Sequence, residues 1–209
     1  MVFFSVIIAT LGPSRRPSLR RSLDCLRRQT FRDFEVITDD SGPNEYRARN
    51  LAAERARGKV LAFTDDDCEP PPDWLESAHR HFASNPDLKY LTGPVEGDLW
   101  GWGRRVRVSV PYWSMGANMF VDREAFEELG GFDWSWGLSP PPRGWRSDSK
   151  LMSDFLEKCG RGGYEHAEDV VMIHPGPMQS AWDPRVEAEF YKRCRKYALR
   201  YIAPYDPRL

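Results

Sequence analysis

Three short apolar runs, FFSVIIAT (3–10), FEVIT (34–38) and VLAFT (60–64), constrain this chain more than any other feature. Each is β-branched and almost free of polar residues, the pattern of a strand covered on both faces. Helical periods lie between them. PSLRRSLDCLRRQ (17–29) sets Leu19, Leu23 and Leu26 on one face with arginines opposite, and NEYRARNLAAERARG (44–58) is rich in Ala and Arg and stops at Gly58, a plausible C-cap. Strand, helix, strand, helix, strand means an α/β fold with a parallel sheet, and in such sheets ligands bind beyond the carboxyl ends of the strands. Ala9 and Thr10, Asp39 and Asp40, and Asp65, Asp66 and Asp67 each sit at such an end. They are expected to converge on one crevice.

Three consecutive carboxylates repel one another unless something positive sits among them. A polar turn ahead of the helical stretch PPPDWLESAHRHF would be served by a single Asp near the helix N-terminus, so the triplet reads as a site. The chain as a whole gives no strong electrostatic signal: its formal net charge of −1 argues against a generic nucleic-acid binder. Its 209 residues suffice for one folding unit with a real core. The longest apolar runs fall far short of a membrane span, and the opening MVFFSVIIAT lacks the features of a secretion signal, which points to the cytoplasm. Cys25, Cys68, Cys159 and Cys194 are widely scattered and read as reduced thiols.

The second half is less regular. LKYLTGPVEG (88–97) reads as a strand and turn, DREAFEELGGFD (122–133) as a short helix stopped by Gly130 and Gly131, SKLMSDFLEKCGRGG (149–163) as a helix, and VVMIHPG (170–176) as a further strand. Between them GDLWGWGRRVRV (97–108) and DWSWGLSPPPRGWR (133–146) follow neither period, as functional loops do. We expect one domain over 1–182, with a nucleotide-binding half at 1–97 and a second half at 98–182, followed by a basic helix and tail over 183–209. The stretch 185–202 is amphipathic, and packs its aromatic face on the domain or meets a membrane or a second copy.

Taken in order, these pieces resemble the family 2 glycosyltransferases, inverting enzymes of the GT-A fold. The resemblance covers residues 3 to about 175. It rests on SVIIAT with RRPSLRRSLDCLRRQTFRDFEVITDDSG, on ARNLAAERARGKVLAFTDDDCEPPPDWL, on GANMFVDREAFEELGGFDW, and on SDSKLMSDFLEKCGRGGYE followed by VVMIH. It implies a Rossmann-like domain with a mostly parallel central sheet, a nucleotide-diphosphate sugar donor, with UDP the commonest carrier, and Mn²⁺ or Mg²⁺. By the same resemblance Asp67 is a metal ligand, Asp65 a contact to ribose or ion, Asp66 a further donor contact, and His174 a completing metal ligand. Asp39 or Asp40 would read base and ribose, with Arg47, Arg49 and Asn50 near the base. Gly116 and Asn118 in SMGANMF would form a wall for the donor sugar. Asp148 holds the position of the family's catalytic base, although it also suits the N-cap of the following helix, as does Ser147. Two departures stand out: the family's Glu-Asp-x-Asp-Leu is here Ser147, Asp148, Ser149, Lys150, Leu151, and the first loop, TLGPSRRPSL, is longer than the usual Thr-Tyr-Asn-Arg-Pro.

Trp100, Trp102, Trp113, Trp134, Trp136 and Trp145 supply faces for an acceptor sugar, and Arg104, Arg105 and Arg107 would favour an anionic one. The acceptor is left open among glycan, lipid-linked sugar, protein and modified nucleic acid. Two other readings are a catalytically inactive glycan- or nucleotide-binding protein, given the missing acidic partners of Asp148, and a sugar-nucleotide pyrophosphorylase, faintly echoed in LGPSRRP.

Overall fold

A computed structural model describes residues 2–10, 12–135, 146–177 and 184–204. Trp136, Trp145 and the Pro-rich stretch between them lie outside the described residues.

The three apolar runs form β1 (Phe4–Ala9), β2 (Phe34–Asp39) and β3 (Val60–Asp65). They are parallel in the order β2-β1-β3, and the register sets Ala9 opposite both Asp39 and Asp65. The acidic ends of β2 and β3 therefore flank the end of β1 on one edge of the sheet. The two-sided burial expected of such runs is present in β1 and β3: Phe4, Val6 and Ile8 join one buried cluster, while Ile7, Leu61 and Phe63 join another on the opposite face. It is absent from β2, which lies at the sheet edge with Val36 and Thr38 exposed. The first face is covered by α1 (Arg16–Arg27) and α3 (Trp74–Ser84), which contribute Leu26, Trp74, Leu75, Ala78 and Phe82. The second is covered by α2 (Glu45–Ala53), which contributes Tyr46, Ala52 and Ala53.

The sheet continues through β7 (Met119–Asp122), antiparallel to β3, then β4 (Tyr90–Thr92) and β8 (Tyr164–His166). A second small sheet has the order β6-β5-β9, with β5 (Val95–Gly97), β6 (Val106–Val108) and β9 (Met172–His174). The stretch read as one strand and turn at 88–97 is thus two strands in different sheets, because Gly93 and Pro94 let the chain step from one to the other. In β5, Gly97 lies opposite His174 so closely that a Cβ would land on the His174 carbonyl.

The Gly58 C-cap is corrected: α2 ends at Ala53, and Gly58 lies where the chain crosses Ser5 too tightly for any side chain. α4 (Arg123–Glu128) is capped by Asp122, whose carboxylate accepts from the Ala125 N–H at 3.1 Å, and is followed by Gly130 and Gly131 at positive φ. α5 (Ser147–Cys159) begins two residues earlier than its apolar period indicates.

The C-terminal segment is built into the core. α6 (Pro184–Arg193) and its continuation through a π-helical turn at Ala198–Ile202 bury Phe190, Cys194, Tyr197, Ala198 and Ile202 in the cluster that holds Phe63, Tyr90 and Phe155. The aromatic face that could have met a membrane is spent on this packing. No helix among the described residues is long and apolar enough to cross a membrane. The four cysteines are free thiols.

Candidate active site

The three aspartates have three different partners. Asp65 is paired with Arg49 of α2, whose side chain is buried. Burial opposes the Arg49 charge, but Asp65 and Glu45 outweigh it and hold the guanidinium above its ordinary range. Burial likewise pushes the Asp65 carboxyl up, with Arg49 and His174 pulling the other way. Asp66 is almost fully buried and meets Arg15, whose Nε donates to Oδ1 at 2.9 Å and Oδ2 at 3.2 Å. The same guanidinium reaches across to Asp67 Oδ2, at 2.9 Å from Nη2. The positive charge inferred from the sequence is supplied, in the protein itself, by two arginines.

Asp67 Oδ1 faces something else. It is buried with no hydrogen-bond partner among the described residues, and His174 Nε2 lies 3.4 Å away. The histidine's Nδ1 is 2.7 Å from the Gly176 carbonyl, which can only accept, so Nδ1 carries a proton and Nε2 is the ring nitrogen turned to the carboxylate. A carboxylate oxygen and an imidazole nitrogen at this separation are a pair that one divalent cation can bridge. Asp65, Asp67, Cys68 and His174 offer ligand atoms all within 4.8 Å of one another. Burial pushes the Cys68 thiol well up, which leaves two carboxylates and an imidazole, a donor set suited to Mn²⁺.

The opposite wall is set by backbone. Asp148 does not cap α5: the N-cap is Arg146, at φ 66°, and Asp148 lies in the first turn. Its Oδ1 accepts from the Ser149 N–H at 2.7 Å and its Oδ2 from the Gly116 N–H at 2.9 Å. Gly116 makes room for Arg49, since a Cβ there would collide with the guanidinium. Arg49 therefore links both walls, packed under Gly116 and paired to Asp65. Asn118 is buried with its amide committed: Oδ1 accepts from Trp74 Nε1 at 2.9 Å, and Nδ2 donates to the carbonyls of Pro94 and Val170 at 3.0 and 2.7 Å. From just before β7 it ties together α3, the link between β4 and β5, and the approach to β9.

On the β2 side Asp39 is buried. Its Oδ1 accepts from Ser41 N and Oγ, and its Oδ2 from Arg55 at 2.7 Å. Burial would raise its pKa, but these bonds outweigh burial and hold it below the usual carboxylate range. Asp40 is exposed, and Thr10 keeps a buried Oγ1 without a partner among the described residues. Asn50 holds Phe132 through paired backbone bonds of 2.8 and 3.0 Å, and Arg47 lies over the Trp134 ring at 5.5 Å. Trp113 is buried, whereas Trp102 is 57% exposed with Arg104 stacked on it at 5.2 Å.

Two participants were missed from sequence. Arg15 sits in the long first loop, where the pattern match fails. Glu45, at the start of α2, is pushed up to about 7 by burial, reinforced by Asp65 and Asp148 against Arg49. In the sequence it looks like an ordinary acidic residue at a helix N-terminus.

Comparison with known proteins agrees with this fold. Residues 44–136 match the model of glycosyl transferase family 2. A glucosyl-dolichyl phosphate glucuronosyltransferase of Haloferax volcanii is 26% identical, over 64% of this chain and 56% of that protein. Glycosyltransferase AglE of the same organism is 25% identical, over 49% and 38%. The chain thus spans about half the length of the curated relatives it matches. Among solved structures, S. aureus TarS 1–349 in complex with UDP-GlcNAc superposes with a TM-score of 0.73 at 14% identity, covering 96% of this chain and 68% of that one. The mannosyltransferase PcManGT from Pyrobaculum calidifontis, in complex with GDP-Man and Mn²⁺, gives 0.65 at 20% identity, covering 94% and 64%. Residues 44–136 are thus similar to the glycosyl transferase family 2 model, and the α/β architecture of the whole chain is the GT-A fold of the glycosyltransferase structures it superposes on.

Proposed function

We propose that this domain transfers a sugar, with inversion, from a nucleoside-diphosphate donor to an acceptor hydroxyl. The observation that carries the metal-dependent form of this reading is the buried Asp67 Oδ1, without a hydrogen-bond partner among the described residues, facing His174 Nε2 at 3.4 Å. Asp67, Asp65 and His174 would hold Mn²⁺ or Mg²⁺. When bound, the ion supplies Lewis-acid stabilisation for charge that gathers on the departing diphosphate. The chain's own groups do the rest. Asp148, fixed by two backbone N–H groups across the crevice from the triplet, takes the proton of the acceptor hydroxyl as its oxygen bonds to the anomeric carbon and the bond to the diphosphate breaks. Asp39 and Asp40, at the end of β2, lie where the nucleoside would sit.

Two neighbours bear UDP-GlcNAc and GDP-Man, which supports a nucleotide sugar without choosing the base. The name of the Haloferax relative supports a lipid-phosphate-linked sugar as acceptor, and the exposed Trp102 with Arg104 offers an aromatic and cationic surface suited to one.

Thermal unfolding with UDP, GDP, dTDP and CDP, each with and without Mn²⁺, tests the reading. One nucleotide near 100 times its Kd is expected to raise Tm by about 5–10 °C, only with metal, and not in Asp67→Ala. Asp148→Asn is expected to keep that shift while turnover falls by about 100-fold or more. A shift independent of metal and retained in Asp67→Ala would reject the metal site. No shift with any nucleotide would reject the donor site.

A further inference from the structure

Arg15 is a cation already seated where a metal and a diphosphate are expected, and nothing in the reading above uses it. Its backbone belongs to a short 3-10 turn, Pro13–Arg15, directly before α1, and its carbonyl is held by the Ser18 hydroxyl at 2.8 Å. The Cα is thus tied to a helix, whereas the preceding Gly12, at φ 88°, is exposed with open space around it. The guanidinium is bidentate on Asp66, whose side chain is 3% exposed, and reaches Asp67 with Nη2 alone. Among the described residues Nη1 donates to no partner, so that edge remains open. The two contacts differ in kind: Asp66 has its whole carboxylate engaged by Arg15, whereas Asp67 lends Arg15 one oxygen and turns the other to His174.

We propose that Arg15 is an exchangeable counter-ion of the donor site. Anchored by Asp66, it neutralises Asp67 until a divalent cation claims that carboxylate, and then its fork turns to the diphosphate oxygens of the donor. This rests on the donor-site reading above. The chemistry is that of a planar guanidinium, which can keep a bidentate carboxylate on one edge while offering N–H groups to phosphate on the other. It also gives Asp66 a distinct role: it holds Arg15 in place rather than touching the nucleotide.

The inference makes a prediction with opposite signs. A positive side chain on Asp67 opposes a free metal ion but attracts a metal-bound diphosphate. Arg15→Gln should therefore bind Mn²⁺ alone more tightly than the wild type, by about tenfold, followed through the paramagnetic resonance of the free ion. With Mn²⁺ saturating, the same variant should bind UDP or GDP, whichever the wild type takes, about tenfold more weakly. Uridine or guanosine, which lacks the phosphates, should bind equally well to both proteins. Arg15→Lys keeps a charge opposite Asp66, guarding against misfolding, and should fall between the two in both measurements. If Arg15→Gln weakens Mn²⁺ and nucleotide together, or changes neither, Arg15 is scaffolding and the inference fails while the donor site stands. If the wild type binds neither Mn²⁺ nor any nucleotide, the donor-site reading fails and takes this inference with it.

Discussion

The two walls of the crevice are made by different physics. The wall at the ends of β1, β2 and β3 is ionic: Asp39, Asp65, Asp66 and Asp67 are held by Arg55, Arg49 and Arg15 through side chains. The wall formed by residues 93–97, 114–118 and 146–149 is steric. There Gly97 presses on the carbonyl of His174, Gly116 leaves room for Arg49 and lends Asp148 its N–H, and the amide of Asn118 fastens three segments. The first wall can lose a group and keep its shape. The second holds its groups only because the backbones fit.

That contrast predicts where substitutions cost stability and where they cost only binding. The largest loss is expected behind the steric wall, at Arg146, which is buried and paired in a fork with Glu187 of α6 at 2.7 and 3.1 Å. Arg146→Ala removes a two-bond partner from a buried carboxylate, so chemical denaturation should report a loss of about 3–5 kcal/mol. Gly97→Ala comes next. Its methyl group would force β5 from β9 and swing His174 off Asp67, and we expect about 1–3 kcal/mol lost together with metal binding. On the ionic wall, Asp67→Asn should abolish metal-dependent nucleotide binding yet leave stability within about 1 kcal/mol of the wild type, because one of three crowded like charges is removed while Asp66 keeps Arg15. A loss of several kcal/mol there would erase the distinction.

The smallest effect concerns pH. His166 hydrogen-bonds Thr92 Oγ1 through Nδ1 and Ser109 Oγ through Nε2, both at 2.9 Å, and burial holds its pKa below the ordinary value of 6.5 despite the pull of Glu168. The unfolded chain therefore binds this proton more readily, and stability should fall as pH drops below about 6.5 and level off once the folded pKa is passed. His166→Gln should flatten that portion of the pH profile, by about 1 kcal/mol or less.

The same contrast explains what the sequence made legible. The first three strands were plain because short, mostly apolar, β-branched runs alternate with helical periods, and the aspartates were plain because a parallel sheet brings strand ends together. Strands of three residues, such as β5, β8 and β9, are too short to show a period, so their pairing across two sheets was invisible. The intramolecular partners of residues picked for their chemistry were not legible either: the absent side chain of Gly116 accommodates Arg49, and the amide of Asn118 bonds Trp74 and two carbonyls. Asp148 looked like a helix cap because its neighbours in sequence are helical, but a distant backbone N–H engages it. Arg15 was obscured by loop length, since no periodicity says which of two consecutive arginines, Arg15 or Arg16, turns inward.

The burial of the C-terminal helix has a consequence for how this protein is made. Phe190, Tyr197 and Ile202 fill the same cluster as Phe63 and Tyr90, and the Tyr197 hydroxyl donates to the Tyr112 carbonyl at 2.6 Å, fixing the loop that leads to Gly116. A chain emerging from the ribosome therefore exposes an unfilled apolar face on its sheet until the last of these residues has cleared the exit tunnel. Synthesis at about 5–20 residues per second leaves that face uncovered for seconds. During that interval the ionic rim can already be in place, while the wall that carries Asp148 still lacks its backing.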